Sequence, residues 1–267
     1  MKKLGFMQGR LVPAEDKKLQ SFPWNNWRKE FKKSKKLGLN LIEWTIDRKN
    51  FFRNPINTYP GRKEICKLKK INKIKIESVT ADFFMQSPFF KKNLKSELKI
   101  LKIFIHNCSK IKIKYIICPL VDNSSIRNNF EEKKLIENLL KLNSLISKRK
   151  IKILFESDYN PKKLCNFIKK FPIKTFGINY DTGNSAGLGY NFEEEKEYFS
   201  RVKNIHIKDK KYNSLSMKIG KGSYDFRKLF KYLKKIKYKG NFIFQTARYK
   251  DNLKMMKHNI NFLKRYF

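Results

Sequence analysis

Short runs rich in Ile, Val, Leu and Phe alternate along the chain with longer lysine-rich stretches whose apolar residues recur every three or four positions. The first pattern is typical of buried strands and the second of amphipathic helices. Eight runs are predicted as strands: KLGFMQG at 3–9, LNLIEWTI at 39–46, IKIESVTAD at 74–82, KYIICPLV at 114–121, IKILFES at 151–157, TFGINYD at 175–181, VKNIHIK at 202–208 and NFIFQTA at 241–247.

Helices are predicted between these runs, on charged segments where apolar residues return on one face. The clearest is EEKKLIENLLKLNSLISKR at 131–149. Others are WRKEFKKSKKLG at 27–38, YDFRKLFKYLKKIKYKG, which ends at Gly240, and NLKMMKHNINFLKRYF at the C-terminus. Glycine just after an apolar-periodic segment favours helix termination.

Strands that alternate with helices need right-handed crossovers, which place the strands in a parallel sheet. Eight such units in 267 residues match the size of a closed (β/α)8 TIM barrel. The chain is therefore predicted to form one α/β barrel domain over residues 1–267. An open doubly wound sheet is the alternative, disfavoured because GFMQGR at the first strand lacks the G-x-G-x-x-G pattern.

Polar residues close most of the predicted strands, at the end where TIM-barrel enzymes carry their chemistry. Glu156, Asp181 and His206 end the fifth, sixth and seventh strands. Two carboxylates and one imidazole suit a divalent Mn, Mg, Co or Zn ion, and crowded acids repel each other unless a cation or ligand uses them. The pattern predicts one catalytic ion with coordination positions left open for substrate oxygens.

The charge of the chain is strongly unbalanced, with 63 Lys and Arg against 23 Asp and Glu and a formal net charge of +40. Such a balance favours attraction to an anionic substrate or to nucleic acid. The lysines are spread along the whole sequence, however, which is also rich in Ile, Asn and Phe. Codons rich in A and T therefore explain most of the excess, and nucleic acid is not the expected partner.

Cysteine usage and the lack of long apolar runs bear on the compartment. Cys66, Cys108, Cys118 and Cys165 form no C-x-x-C pair, which argues against a zinc knuckle or a disulfide framework and indicates a reducing compartment. The opening MKKLGFMQGR is too poor in apolar residues for a signal peptide, and no run approaches the roughly 20 apolar residues that span a bilayer. A cytoplasmic protein without a membrane partner is predicted.

Eight motifs in order carry a resemblance to a known family: GFMQGRLVP, QSFPWNNW, LGLNLIEWTID, SVTADFFMQSP, INYDTGNSAGLG, NIHIKDK, IGKGSYDF and FIFQTAR. Together they resemble the sugar phosphate isomerase/epimerase family of the xylose-isomerase-like barrel superfamily. The resemblance implies one divalent metal ion bound by Glu156, Asp181, His206 and Gln245. It also implies a sugar or sugar phosphate as substrate and an enediolate intermediate. A homodimer is an expected assembly.

The sequence departs from that family pattern at the site. Gln245 stands where the pattern has glutamate, and an amide cannot accept the proton. Asn184 stands where ketose epimerases carry histidine, and Tyr212 about where they carry arginine. One-base chemistry through Glu156, or through Glu156 with Lys208, is therefore expected, giving isomerisation, epimerisation or a metal-dependent dehydratase (lyase) reaction.

The remaining predicted site residues would bind substrate. Arg10 and Arg248, with Lys208, are predicted to clamp an anion, because arginine forks match carboxylate and phosphate oxygens. Glu43, Trp44, Asp82 and Asn184 complete the predicted substrate set. The glycines of IGKGSYDF are either a phosphate-binding turn or ordinary loop residues, and the second interpretation is preferred.

Two rival functions remain open at this point. A metal-dependent endonuclease IV-like DNA-repair enzyme fits the basic charge, but its multi-zinc site needs more histidines than the three present, of which His106 and His258 fall in helical patterns. A non-catalytic sugar-binding barrel fits the neutral Gln245.

Overall fold

Eight parallel strands close into a barrel in the computed structural model, which describes residues 3–15, 20–91 and 94–267. The strands are β1 (Leu4–Met7), β2 (Leu41–Thr45), β3 (Lys75–Thr80), β4 (Tyr115–Leu120), β5 (Lys152–Ser157), β6 (Phe176–Asp181), β7 (Val202–Ile207) and β8 (Asn241–Phe244). Each pairs with its sequence neighbour, and β1 also pairs with β8, so that Gly5 lies opposite both Leu41 and Ile243. The predicted (β/α)8 barrel is confirmed.

Eleven α-helices lie between or after the strands within the described residues. They are α1 (Trp27–Lys36), α2 (Tyr59–Asn72), α3 (Phe83–Gln86), α4 (Leu94–Lys110), α5 (Asn129–Leu140), α6 (Asn143–Lys148), α7 (Pro161–Lys169), α8 (Thr182–Leu188), α9 (Phe192–Glu195), α10 (Phe226–Lys235) and α11 (Asn252–Lys264). The single helix predicted over 131–149 is wrong, because α5 ends before α6 begins. The Leu142 N–H bonds to Leu139 O, three residues back, and this tight turn interrupts the helical ladder.

The described residues form two separate apolar clusters. The large one lies between the strands and the surrounding helices, where aromatic groups such as Phe155, Phe171 and Phe176 pack together. The small one contains Met7, Leu41 and Ile243. Successive strand residues face opposite sides of a sheet, so the side chain of Glu43, two residues after Leu41, points to the same inner face as Leu41. Polar and apolar side chains therefore share the inside of the barrel, where Met7 lies opposite Glu43 and Ile243 lies opposite His206 in the strand pairing.

No helix among the described residues is long and apolar enough to cross a membrane. All four cysteines are free thiols, with Cys66 exposed and the other three buried. Burial raises the pKa of the Cys108 thiol well above its usual value, so this group packs as an apolar side chain.

Candidate metal centre

Three predicted ligands meet inside the carboxyl end of the barrel. Glu156, Asp181 and His206 are buried, and one ligand atom of each lies within 4.8 Å of the others. His206 Nδ1 is 3.0 Å from Glu156 Oε2 and 4.0 Å from Asp181 Oδ2. Strand register explains the meeting, because Asp181 lies directly opposite His206 in the β6–β7 pair.

The Asp181 carboxylate presents one bonded and one unbonded oxygen. Oδ1 accepts hydrogen bonds from the N–H groups of Gly183 and Asn184 at 2.7 and 2.9 Å. Both donors lie in the first turn of α8, so Asp181 caps this helix. Oδ2 is buried and has no hydrogen-bond partner among the described residues, although Lys208 Nζ is 3.6 Å away. A buried carboxylate oxygen is costly to leave unbonded, so Oδ2 is suited to a cation.

Gln245 also offers an oxygen at this end of the barrel. Its N–H donates to Ile207 O at 3.1 Å, which places it beside the end of β7. Its Oε1 is buried and accepts no hydrogen bond from the part of the chain that the structure describes. The two carboxylates and the imidazole form a donor set that fits a divalent metal ion, and the Gln245 side chain lies at the same end of the barrel.

Amide groups orient the Glu156 carboxylate. Asn179 Nδ2 donates to Oε2 at 2.7 Å, and Asn184 Nδ2 donates to Oε1 at 3.1 Å. Burial raises the pKa of Glu156, but the positive charges of His206 and Lys208 outweigh burial and hold it below its usual value. The group is therefore a carboxylate at neutral pH.

The charge of His206 balances its acidic neighbours. Burial lowers its pKa, but the carboxylates of Glu43 and Glu156 raise the pKa well above its usual value. An imidazolium in this position offsets part of the negative charge. Metal binding requires a neutral imidazole, so a cation that enters here must displace a proton from the ring.

Arg10 and Asp82 are joined by a hydrogen-bonded bridge at the edge of the site. Arg10 Nε donates to Thr246 O at 2.7 Å and Nη2 donates to Gln20 Oε1 at 3.0 Å, while Gln20 Nε2 donates to Asp82 Oδ2 at 2.9 Å. Burial and the charge of Asp47 raise the pKa of Asp82 to about 8. At neutral pH this carboxyl group is largely protonated.

Residues 31–266 match the family model described as xylose isomerase-like TIM barrel. The chain belongs to the xylose isomerase-like TIM barrel family. The match covers most of the chain and confirms the resemblance drawn from the eight motifs.

Solved structures share the fold of this family member over nearly their full lengths. D-allulose 3-epimerase from Methylomonas sp. in complex with D-allulose has a TM-score of 0.76 at 13% identity, covering 100% of this chain and 97% of the other. Apo 3-keto-D-glucoside 4-epimerase YcjR from E. coli has a TM-score of 0.75 at 14% identity, covering 99% of this chain and 100% of the other. The IolI protein with a binding zinc atom has a TM-score of 0.74 at 17% identity, covering 99% of each chain. Comparison with curated protein sequences finds no match.

The prediction that Trp44 binds substrate is wrong, because its side chain is buried against aromatic residues outside the barrel interior. It is 0% exposed, its ring centroid lies 5.3 Å from that of Phe22 and 5.4 Å from that of Trp27, and its Nε1–H donates to Asn54 Oδ1. Adjacent strand residues point to opposite faces, so Trp44 faces the helices where Glu43 faces inward.

Each of the other predicted substrate residues contacts a different part of the protein. Asn184 contacts Glu156, and Arg248 Nη2 donates to Ser21 O at 3.1 Å. The Lys208 stem packs against Gly183, where a Cβ would lie 2.6 Å from Lys208 Cγ, so any side chain at residue 183 would displace the Lys208 stem. Glu43 has no exposed surface.

The glycine loop after β7 folds around a carboxylate of the chain itself. Asp209 Oδ2 accepts from Gly220 N at 2.8 Å and from Gly222 N at 3.0 Å, and a Cβ at residue 222 would lie 2.0 Å from Asp209 Oδ1. These N–H groups are engaged and do not form a free phosphate cradle. The ordinary-loop interpretation of IGKGSYDF agrees with this geometry.

Sequence reasoning missed Asn179, Asn204 and Gln20. The first two lie two residues before Asp181 and His206, and alternation along a strand puts them on the same inward face. That spacing could have identified them. Gln20 follows a segment outside the described residues and carries no comparable signal.

Proposed function

We propose that this protein is a divalent-metal-dependent isomerase or epimerase that acts on a sugar or sugar phosphate, with residues 1–267 as one catalytic domain. The observation that carries the proposal is the buried group of Glu156, Asp181 and His206. Membership in the xylose isomerase-like family supports it. Structural neighbours include an epimerase in complex with D-allulose and a protein with a binding zinc atom.

Glu156, Asp181, His206 and Gln245 would hold the ion. When bound, a divalent cation stabilises the negative charge that develops on adjacent substrate oxygens as an enediolate forms. The donor set suits Mn, Mg, Co or Zn.

Glu156 would move the substrate proton. It is ionised at neutral pH, and Asn179 and Asn184 fix both of its oxygens. Gln245 carries no basic group for the opposite face of the substrate. A single base that returns the proton to the neighbouring carbon on the same face favours aldose–ketose isomerisation, with Lys208 as the proposed second proton carrier for epimerisation.

Asp82, Arg10, Asn184 and Arg248 would position the sugar. The protonated Asp82 carboxyl group can donate a hydrogen bond to a substrate oxygen, and the Arg10 guanidinium supports Asp82 through Gln20. This arrangement suits hydroxyl or carbonyl groups on the substrate.

Proton exchange in D2O tests the proposal. Manganese-loaded protein is incubated with a panel of aldoses, ketoses and their phosphates, and NMR detects deuterium at carbon and identifies products. We expect exchange with at least one sugar, and Glu156→Gln should reduce it by a factor of at least about 100 while keeping the fold. Glu77→Gln, on β3 and paired with Lys3 and Lys114, is the matched control and should retain exchange.

The outcomes separate the rival functions. Loss of water from the sugar would indicate a dehydratase, and bound sugar without exchange would indicate a binding protein. Cleavage of DNA at an abasic site would indicate a nuclease. His106 and His258 lie half-buried on α4 and α11, away from the strand ends, so neither adds a ligand to the group in β5–β7.

A further inference from the structure

Glu43 is a carboxylate whose bonding capacity is filled by the protein itself. Oε1 accepts from Thr80 Oγ1 at 2.7 Å and lies 2.6 Å from His206 Nε2. Oε2 accepts from Ser78 Oγ at 2.7 Å and from Asn204 Nδ2 at 3.0 Å. With two partners on each oxygen and 0% exposure, Glu43 has no capacity left for a substrate.

The contact between Glu43 and His206 crosses the interior of the barrel. β2 and β7 are not neighbours, because β1 and β8 lie between them. Thr80 and Ser78 hold the carboxylate from β3, and Asn204 holds it from β7. The carboxylate is therefore fixed from two sides before it meets the imidazole.

Carboxylate oxygens lie beside both ring nitrogens, with Glu43 Oε1 2.6 Å from Nε2 and Glu156 Oε2 3.0 Å from Nδ1. Because Glu43 is held by the protein whereas Glu156 would bind the ion, Glu43 decides which nitrogen keeps its proton when a cation is bound. An ionised carboxylate only accepts hydrogen bonds, so Nε2 must be the donor in the contact with Glu43. The lone pair of a neutral ring is then on Nδ1, the atom that faces Glu156 and Asp181. Hydrogen bonds of this kind orient metal-binding histidines and raise their basicity.

We propose that Glu43 is a positioning residue that holds His206 as the Nε2–H tautomer and thereby sets the metal affinity of the site. This inference rests on the proposed metal-dependent function. Through its contact with His206, Glu43 would also supply a negative charge that Gln245 does not provide. A second path reaches the site from Glu43, because Asn204 Nδ2 also donates to Asn179 Oδ1 at 2.7 Å and Asn179 holds Glu156.

Metal titration of purified protein tests this role. Binding of Mn2+ is measured for the wild type, Glu43→Gln, and the control Glu77→Gln, which makes the same change at a buried carboxylate on the adjacent strand. We expect Glu43→Gln to weaken binding by about 10- to 100-fold and Glu77→Gln to leave it unchanged. Equal affinity in all three would overturn the role of Glu43 while the metal site stood.

A wild-type measurement keeps the test independent of whether the variant folds. In zinc-loaded, 15N-histidine-labelled protein, NMR should show His206 bound through Nδ1 with a proton on Nε2, assigned by its loss in His206→Ala. Coordination through Nε2 would refute the tautomer assignment. A wild type that binds neither Mn2+ nor Zn2+ would instead refute the proposed function.

Discussion

Glu30 shows how one buried carboxyl group makes stability depend on pH. It lies in α1 with no exposed surface, and its Oε1 accepts from the N–H groups of Gly9 at 2.9 Å and Leu11 at 3.2 Å. Burial raises the pKa of Glu30 to about 8, although these hydrogen bonds and Arg10 lower it. In an unfolded chain the group titrates near about 4.3. Between these values only the folded state keeps the proton.

The sign of the effect follows from this difference. A raised carboxyl pKa contributes stability that is present below about pH 4.3 and is lost as pH rises through about 8. We expect Glu30→Gln, which cannot ionise, to gain stability relative to the wild type by about 1–5 kcal/mol between about pH 5 and about pH 9. Urea unfolding across this range measures the change.

Glu137→Gln is the control for that prediction. Glu137 lies on α5 with its side chain 53% exposed, so its removal should leave the pH profile of the wild type unchanged. Parallel stability curves for Glu30→Gln and the wild type would show that Glu30 is ionised in the folded state. The pKa of Asp82 is also raised to about 8, so the stability of both the wild type and Glu30→Gln should retain some dependence on pH.

At the scale of elements, α7 begins at a well-defined cap. Asn160 accepts from Lys163 N at 2.9 Å through its side chain, and Pro161 occupies the first helical position. The cap side chain is exposed, whereas Leu164 and Phe167 of the same helix are buried against the barrel. Cap geometry and apolar face therefore agree in placing this helix.

Removal of this cap has a predictable cost. Asn160→Ala should lower the free energy of unfolding by about 1 kcal/mol and the melting temperature by about 2–4 °C, because the Lys163 N–H loses its partner. Thermal unfolding followed by circular dichroism measures it. Asn160→Asp should restore stability and Lys162→Ala should not alter it; equal losses in Asn160→Asp and Asn160→Ala would rule out the capping explanation.

Whether an element could be predicted from the sequence depended on its length. All eight strands were located because short apolar runs rich in β-branched and aromatic residues contrast with lysine-rich helices. The helices α3, α8 and α9 are too short to show a helical period, and α8 is set by backbone bonds to Asp181. The break between α5 and α6 depends on a local turn that leaves no mark in the apolar pattern.

The site was predictable only as far as strand ends reveal it. Asp181 and His206 end neighbouring strands, so barrel topology alone brings them together. Which face of a strand points inward depends on closure of the barrel. Glu43 and Trp44 are adjacent, so their side chains could not both point into the barrel interior. The contact of Glu43 with His206 joins residues 163 positions apart, beyond any local pattern.

At the scale of the whole molecule, the charge excess works against compactness. Lysines and arginines outnumber acids by 63 to 23, and several acids are buried in the barrel rather than paired at the surface. The pKa of Lys152 is lowered mainly by burial, and the neighbouring positive charges of Lys203 and Arg201 lower it further. Repulsion among like charges destabilises a compact state and is screened by salt.

Salt should therefore stabilise this protein. Raising NaCl from about 0.01 M to about 0.5 M shortens the screening length from about 30 Å to less than about 10 Å, so the urea midpoint should rise. Lys152→Gln combined with Lys203→Gln removes two mutually repelling charges and should reduce the rise, whereas Lys133→Gln, whose side chain is 77% exposed and paired with Glu137, should not. A midpoint that falls with salt would mean that the ion pairs of Glu77 and Glu132 outweigh the net repulsion.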